Sequence, residues 1–468
     1  MLTIKIPRSY QEERRYVIFV VFKEFLGLEC VVVASDVDKT VITDCEETKK
    51  IIVDDSFFSV PQTDWLKAES LPLRPLKRWN IAEEGLDVDI CEKTIPVIYG
   101  KEINESVFMI QNTDTVQFGV DIFGSIFFML TRYEEVVSTE RDLHDRFPAY
   151  ASIAYQEGFL SRPIVNEYLE ILWAVLIILW PGIKRKKVFF RKLVSHDVDL
   201  PFLYGFQDNG ELALQFARNF IINRSYYRSL VTAVQCIQIK LGRTELDPLN
   251  NFDMIMKLSE KNSIQSEFYF IPDTTNLPID GNYDIKHPFM RKIINKIVAR
   301  RHRVGFHPSY LTYKNADKTK KEFLALKSVC SDEGIKQETW GGRQHYLRWC
   351  TPVTFQNWND AGLDYDSTLG FADYAGFRCG VCYEFPVFNL VTRERLRLIE
   401  RPLIVMECTV LDARYMGLGI ENGDAFDFVS GLVKKCKLYG GDFTLLWHNN
   451  RMVVPCEINL YTEILKAL

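Results

Sequence analysis

Long hydrophobic runs are missing from this sequence. The longest uncharged apolar stretch, ILWAVLIILW (Ile171–Trp180), has ten residues, against the roughly 20 that a helix needs to span a bilayer. A membrane-spanning helix is therefore excluded and a buried helix expected, with docking on a membrane surface as the minor alternative. No signal peptide is expected either: in RRYVIFVVF the apolar residues end at Lys23, and no small-residue cleavage site follows. An excess of one charge is also missing. The net charge of -5 among 57 basic and 62 acidic residues gives no general attraction for nucleic acid or acidic lipid, and the run Lys184–Lys187 reads as a solvated linker. The eleven cysteines show no paired pattern. Only Cys379 and Cys382 are close, without the second pair that would complete a zinc knuckle, so buried thiols in a reducing, cytoplasmic compartment are expected. Internal repeats and low-complexity tracts are absent.

What is present is a soluble globular composition, 47% hydrophobic and 25% charged, over a length that suggests two or three domains. A helical apolar pattern stops at Pro181 and Gly182 and a basic connector follows, which divides the chain into residues 1–183 and 184–468. The first part mixes short strand-like runs with helical stretches and reads as a smaller α+β or α/β domain. In the second, strands and helices alternate: KVFFRKLVS, a helix around Phe252 to Met256, SEFYFI, a helix carrying Ile293 and Ile297, HRVGF, a helix around KEFLALKSVC, and finally GDFTLLWH. Such alternation predicts an α/β fold with a parallel sheet, closed as a (β/α) barrel.

Within LVSHDVDLP, Asp197 and Asp199 are two apart at the end of a predicted strand, so both face one side. Carboxylates held that close need a shared proton or a metal ion between them. His307 in RVGFHPSY and His448 in LLWH stand at the ends of other predicted strands, the edge where barrel enzymes keep their active sites. Asp and His with an open coordination position suit a divalent ion such as zinc. Taken alone, Asp-x-Asp also occurs in capped turns, and a lone His is more often structural.

In order, SHDVD, GFHPSY, GRQHYLRW followed by GLDYDSTLGF, and LLWHN resemble the motifs of the polysaccharide deacetylase (NodB-homology) family, from about Val188 to Asn450. The stretches DIFGSIFFMLTRYEE and GFLSRP resemble an N-terminal extension found in a subgroup. The resemblance implies a distorted (β/α) barrel and a metal-dependent N-deacetylase acting on an N-acetylated sugar or glycan precursor, as in cytoplasmic assembly of a surface polysaccharide. Residue by residue it implies Asp197 as base, Asp199 and His307 as metal ligands, Arg343 as the residue orienting the base, His448 as general acid and Asp366 as its support.

The sequence departs from the family at Leu311, where a second metal histidine is usual. His345 is the candidate replacement, with His196 or a water molecule behind it. The alternative reading is an inactive glycan-binding or scaffold protein that lost its metal. Arg378 could serve a pocket or a buried strand. Trp340, Trp349 and Trp447 are expected mainly in the core, and His287 at a helix N-terminus.

Overall fold

In a computed structural model of the protein, residues 1–104, 107–206, 210, 214, 226–277, 279–281 and 283–468 are described. Eight strands precede the connector: β1 (Leu2–Ile6), β2 (Cys30–Ala34), β3 (Thr40–Thr43), β4 (Lys50–Val53), β5 (Lys77–Asn80), β6 (Thr94–Val97), β7 (Met109–Gln111) and β8 (Thr115–Phe118). Six of them form a mixed sheet in the order β2-β1-β3-β4-β8-β7, and β5 pairs with β6 separately. In β1, Leu2, Ile4 and Ile6 are buried while Thr3 and Lys5 are half-buried, the alternation that a one-sided sheet requires. Asp121 starts the wholly buried helix Ile122–Thr131 by accepting the Gly124 N–H. The ten-residue apolar run lies in helix Ile164–Leu179, most of which is buried. No helix among the described residues is long and apolar enough to cross a membrane.

Beyond the connector, β9 (Arg191–Val198), β10 (Glu267–Phe270), β11 (Arg303–Phe306), β12 (Gly341–Gly342), β13 (Tyr365–Asp366), β14 (Phe385–Asn389), β15 (Glu394–Glu400), β16 (Val405–Met406) and β17 (Asp442–Leu446) form one sheet in the order β14-β15-β13-β12-β11-β10-β9-β17-β16. Every pairing is parallel except β14 with β15. Strands β10 and β17 are buried at every residue, as parallel strands covered on both faces are. The chain is thus mixed α/β with a mainly parallel second sheet. Among the described residues no ladder joins β14 to β16, so hydrogen bonding alone does not close this sheet into the ring expected from sequence.

Because neighbouring strands run parallel, the ends of β9, β11, β12 and β17 share one edge, where α/β sheets hold their ligands. Gly342 brings β12 unusually close: a Cβ there would lie 1.7 Å from the Phe306 carbonyl oxygen. Only glycine fits, and Arg343 and His345 are thereby held next to the end of β11.

The two parts of the chain share one hydrophobic core. Arg378, one of the candidates, forms a buried ion pair with Glu135, Nη2 to Oε2 at 2.5 Å, and its carbonyl accepts from Arg132 at 2.5 Å. Its role is to join the N-terminal region to the second sheet. Cys379 and Cys382 are buried free thiols; burial pushes the Cys379 thiol far up, out of the range where it ionises.

Candidate active site

The pleat of β9 points Ser195 and Asp197 to one side, with Asp199 following on the same side. Asp197 is buried, and its Oδ1 accepts from Arg343 Nη1 at 2.8 Å. The Arg343 guanidinium is fully buried and held on all sides. Its Nε donates to the Ser367 carbonyl at 2.8 Å, Nη2 to Ser367 Oγ at 3.1 Å, and Nη1 also to Ser195 Oγ at 2.9 Å. Asp197 Oδ2 is left facing the cleft, 3.8 Å from His307 Nε2.

Three further side chains converge on Asp199. Its Oδ1 lies 3.3 Å from His307 Nε2 and 3.6 Å from His345 Nε2, and its Oδ2 lies 3.7 Å from His448 Nε2. His307 Nδ1 is 2.6 Å from the Arg343 carbonyl oxygen, which can only accept, so the proton sits on Nδ1 and Nε2 presents a lone pair. His345 Nδ1 stands 2.9 Å from Asp280 Oδ1 and is oriented in the same way. Asp280 is itself held by the Tyr310, Thr275 and Asn276 N–H groups.

Asp199 Oδ1, His307 Nε2 and His345 Nε2 are all buried and none has a hydrogen-bond partner among the described residues. An unpaired buried polar atom costs about 1–3 kcal/mol, and here three electron-rich atoms face one another. A divalent cation satisfies all three, and one carboxylate with two imidazoles, each steadied through its other nitrogen, is a donor set that fits zinc. Burial acts to raise the Asp199 pKa, but His345, His307 and His448 outweigh it and hold the carboxyl well below its usual range. Burial likewise acts to lower the His307 pKa, and Asp197 and Asp199 reverse it.

His448 follows β17. Its Nδ1 lies 2.5 Å from Glu407 Oε1, and its backbone N–H donates to the same oxygen at 3.1 Å. Burial favours the neutral ring, yet Glu407 prevails and raises the His448 pKa well above its ordinary value. Cys408 Sγ is 3.9 Å from His448 Nδ1, and this thiol, pushed up to about 11 by burial, stays neutral beside the pair.

Asp366, expected beside His448, is elsewhere. It lies at the end of β13 next to Glu400 of β15, accepts from Thr368 Oγ1 at 2.5 Å, and is pushed up to about 7 by burial. The sheet order explains the exchange: β13 is five places from β17, whereas β16, which leads into Glu407, is its neighbour. Sequence reasoning missed Glu407 and Asp280; no local pattern around either marks it.

The remaining candidates lie away from the cleft. His196 sits on the opposite face of β9, its Nδ1 2.8 Å from the Trp447 carbonyl oxygen and its ring 4.9 Å from Phe268. Leu311 is 42% exposed in a turn. His287 accepts the Phe289 N–H at the start of helix Pro288–Ala299. Trp340, Trp349 and Trp447 are buried in the core.

The cleft over this cluster has a volume of about 280 Å³. Four of the protein's seven histidines line it, and one of them, His144, comes from the N-terminal region, as does Arg146.

Residues 2–181 match a family of unknown function (DUF7033). No curated protein sequence matches the chain. Among solved structures it is similar to a protein assigned as a polysaccharide deacetylase from Mycobacterium smegmatis, with 15% identity over 60% of this chain and 84% of that one and a TM-score of 0.37. It is similar to the Puue allantoinase, with 13% identity over 70% and 91% and a TM-score of 0.35. It is also similar to a protein assigned as a polysaccharide deacetylase from Pseudomonas aeruginosa PAO1, with 11% identity over 67% and 90% and a TM-score of 0.33.

Proposed function

We propose that this protein is a metal-dependent hydrolase that removes the N-acetyl group from an amino sugar in a glycan or glycan precursor, on a distorted barrel of the polysaccharide deacetylase type. The observation that carries this reading is the set of three buried, unpartnered ligand atoms on Asp199, His307 and His345, flanked by an Asp197–Arg343 pair on one side and a His448–Glu407 pair on the other. A divalent ion held by Asp199, His307 and His345, zinc first of all, would polarise the acetamide carbonyl and acidify water when bound.

The chain's own groups then divide the proton work. Asp197, with Oδ1 committed to Arg343, would take the proton of the attacking water on Oδ2. The charge-assisted bond from Arg343 fixes that carboxylate in direction. His448, cationic because of Glu407, would donate from Nε2 to the departing nitrogen as the C–N bond breaks. The products are acetate and a free amino sugar.

The test is metal analysis of the purified full chain, followed by acetate release from N-acetylated sugars and nucleotide sugars. About one divalent ion per chain, lost in Asp199→Ala and His307→Ala together with acetate release, is expected. A metal-free protein that releases no acetate overturns the proposal and leaves a glycan-binding protein in its place.

A further inference from the structure

The cleft is not built by the second sheet alone. The loop after helix Tyr133–Val137 supplies His144 and Arg146, which line the cleft together with Arg414, Tyr415 and Arg451. We propose that this rim, to which the N-terminal region contributes His144 and Arg146, selects substrates whose N-acetylated sugar carries an anionic substituent, a carboxylate or a phosphate. The proposal rests on the reading of the cleft as a sugar site and names its substrate class.

The wall is rigid where it meets the N-terminal region. Arg146 is buried; its Nε donates to Asp142 Oδ2 at 2.7 Å, Nη1 to the Tyr346 carbonyl at 2.9 Å, and Nη2 to Tyr415 Oη at 3.5 Å. His144 Nδ1 lies 2.9 Å from Tyr310 Oη, and its ring packs 4.7 Å from that of Tyr346. Behind them Arg348 is buried with no carboxylate partner among the described residues. It donates only to the His144 and Tyr310 carbonyls, at 2.8 and 2.7 Å, and lies 3.9 Å from the rings of both Tyr310 and Tyr313.

Arg414 itself is open to solvent. Arg414 has a side chain 72% exposed, and its one hydrogen bond runs from Nη2 to Asp412 Oδ2 at 3.3 Å. Arg414 lines the cleft, and its Nε and Nη1 have no hydrogen-bond partner among the described residues, so donors remain for a carboxylate or phosphate. Asp412 is shared, since its Oδ1 also accepts from Arg451 at 2.9 Å, and Arg451 meets Glu457 at 2.7 Å. The three arginines that line the cleft, Arg146, Arg414 and Arg451, are thus matched by Asp142, Asp412 and Glu457, and Arg348 adds a further cation behind the wall. Burial first, then Arg146, Arg348 and Arg414, lower the His144 pKa against the pull of Asp142. His144 stays a neutral ring that can donate or accept without repelling either kind of sugar.

Calorimetry with the full chain tests this. The probes are N-acetylglucosamine, N-acetylglucosamine 1-phosphate and N-acetylglucosaminuronic acid, each titrated into wild type, Arg414→Ala and Asp199→Asn. At least one charged sugar is expected to bind about tenfold tighter than the neutral one, equivalent to about 1.4 kcal/mol. That ratio is expected to fall close to one in Arg414→Ala and to narrow with added salt. Preference for the phosphate identifies an activated or lipid-linked sugar as the source of the charge, and preference for the uronate identifies an acidic glycan. Equal affinity for all three probes, no binding of either charged sugar, or a preference untouched by Arg414→Ala overturns the proposal. Because the preference is expected to survive in Asp199→Asn, it is read independently of acetate release, so failure of the hydrolase reading and failure of this one give different results.

Discussion

His345 Nε2 lies 3.6 Å from Asp199 Oδ1, both atoms buried and both without a hydrogen-bond partner among the described residues. His345 enters from the loop after β12 rather than from the turn that holds Leu311. The ring is aimed by Asp280, 65 residues earlier in the chain, through a 2.9 Å contact to Nδ1.

His345→Ala is expected to abolish stoichiometric metal binding, and Asp280→Asn to weaken it by about 10–100-fold while leaving the ligands in place, as loss of a carboxylate behind a ligating imidazole does. Competition with a chromophoric chelator measures both. Full affinity in Asp280→Asn would refute the role given to that carboxylate.

Leu311→His introduces the histidine that the sequence resemblance leads one to expect there, but is expected to leave metal affinity unchanged. Leu311 is exposed in a turn whose backbone N–H is tied to Thr275 Oγ1 at 3.0 Å, and His345 already provides the third buried ligand atom. The same chelator titration decides it; an added ligand would appear as tighter binding.

Glu407→Gln is expected to shift the alkaline limb of activity to lower pH. Burial acts to lower the His448 pKa and Glu407 reverses it, so the proton needed for the leaving nitrogen is retained until pH rises through that raised value. Without the negative charge the limb moves down by about 1–3 pH units. A pH profile of kcat/KM is the measurement, and an unmoved limb would assign the acid to another group.

Glu322→Gln is expected to change how stability depends on pH. Burial pushes the Glu322 carboxyl from 4.5 up to about 7, against two hydrogen bonds from Ser309. The folded state therefore holds this proton more tightly than the unfolded state. Its contribution is fully present below about pH 4.5 and is lost as pH rises through about 7. Urea denaturation across that window should show wild type losing up to about 3 kcal/mol relative to the glutamine variant; parallel curves would contradict it.

Much of the site can be read from period and position alone. Strand alternation predicts that Asp197 and Asp199 face the same way, and the same rule sends His196 to the other face, where it packs on Phe268. The strand ends before His307 and His448 are visible as apolar runs that stop at a polar residue. His345 is visible only as a candidate, because local pattern cannot say which of several histidines reaches the cluster.

The sequence by itself determines the mixed α/β class, the buried helix at Ile171–Trp180, and the types of group available for chemistry, since these follow from composition and from periods of a few residues. Only the tertiary structure decides the pairings: Glu407 rather than Asp366 behind His448, Asp280 behind His345, Arg378 committed to Glu135, and the N-terminal loop at the mouth of the cleft. Each joins residues 41 or more positions apart. Such contacts depend on which strands lie side by side in a sheet, and strand order leaves no periodic mark in the chain.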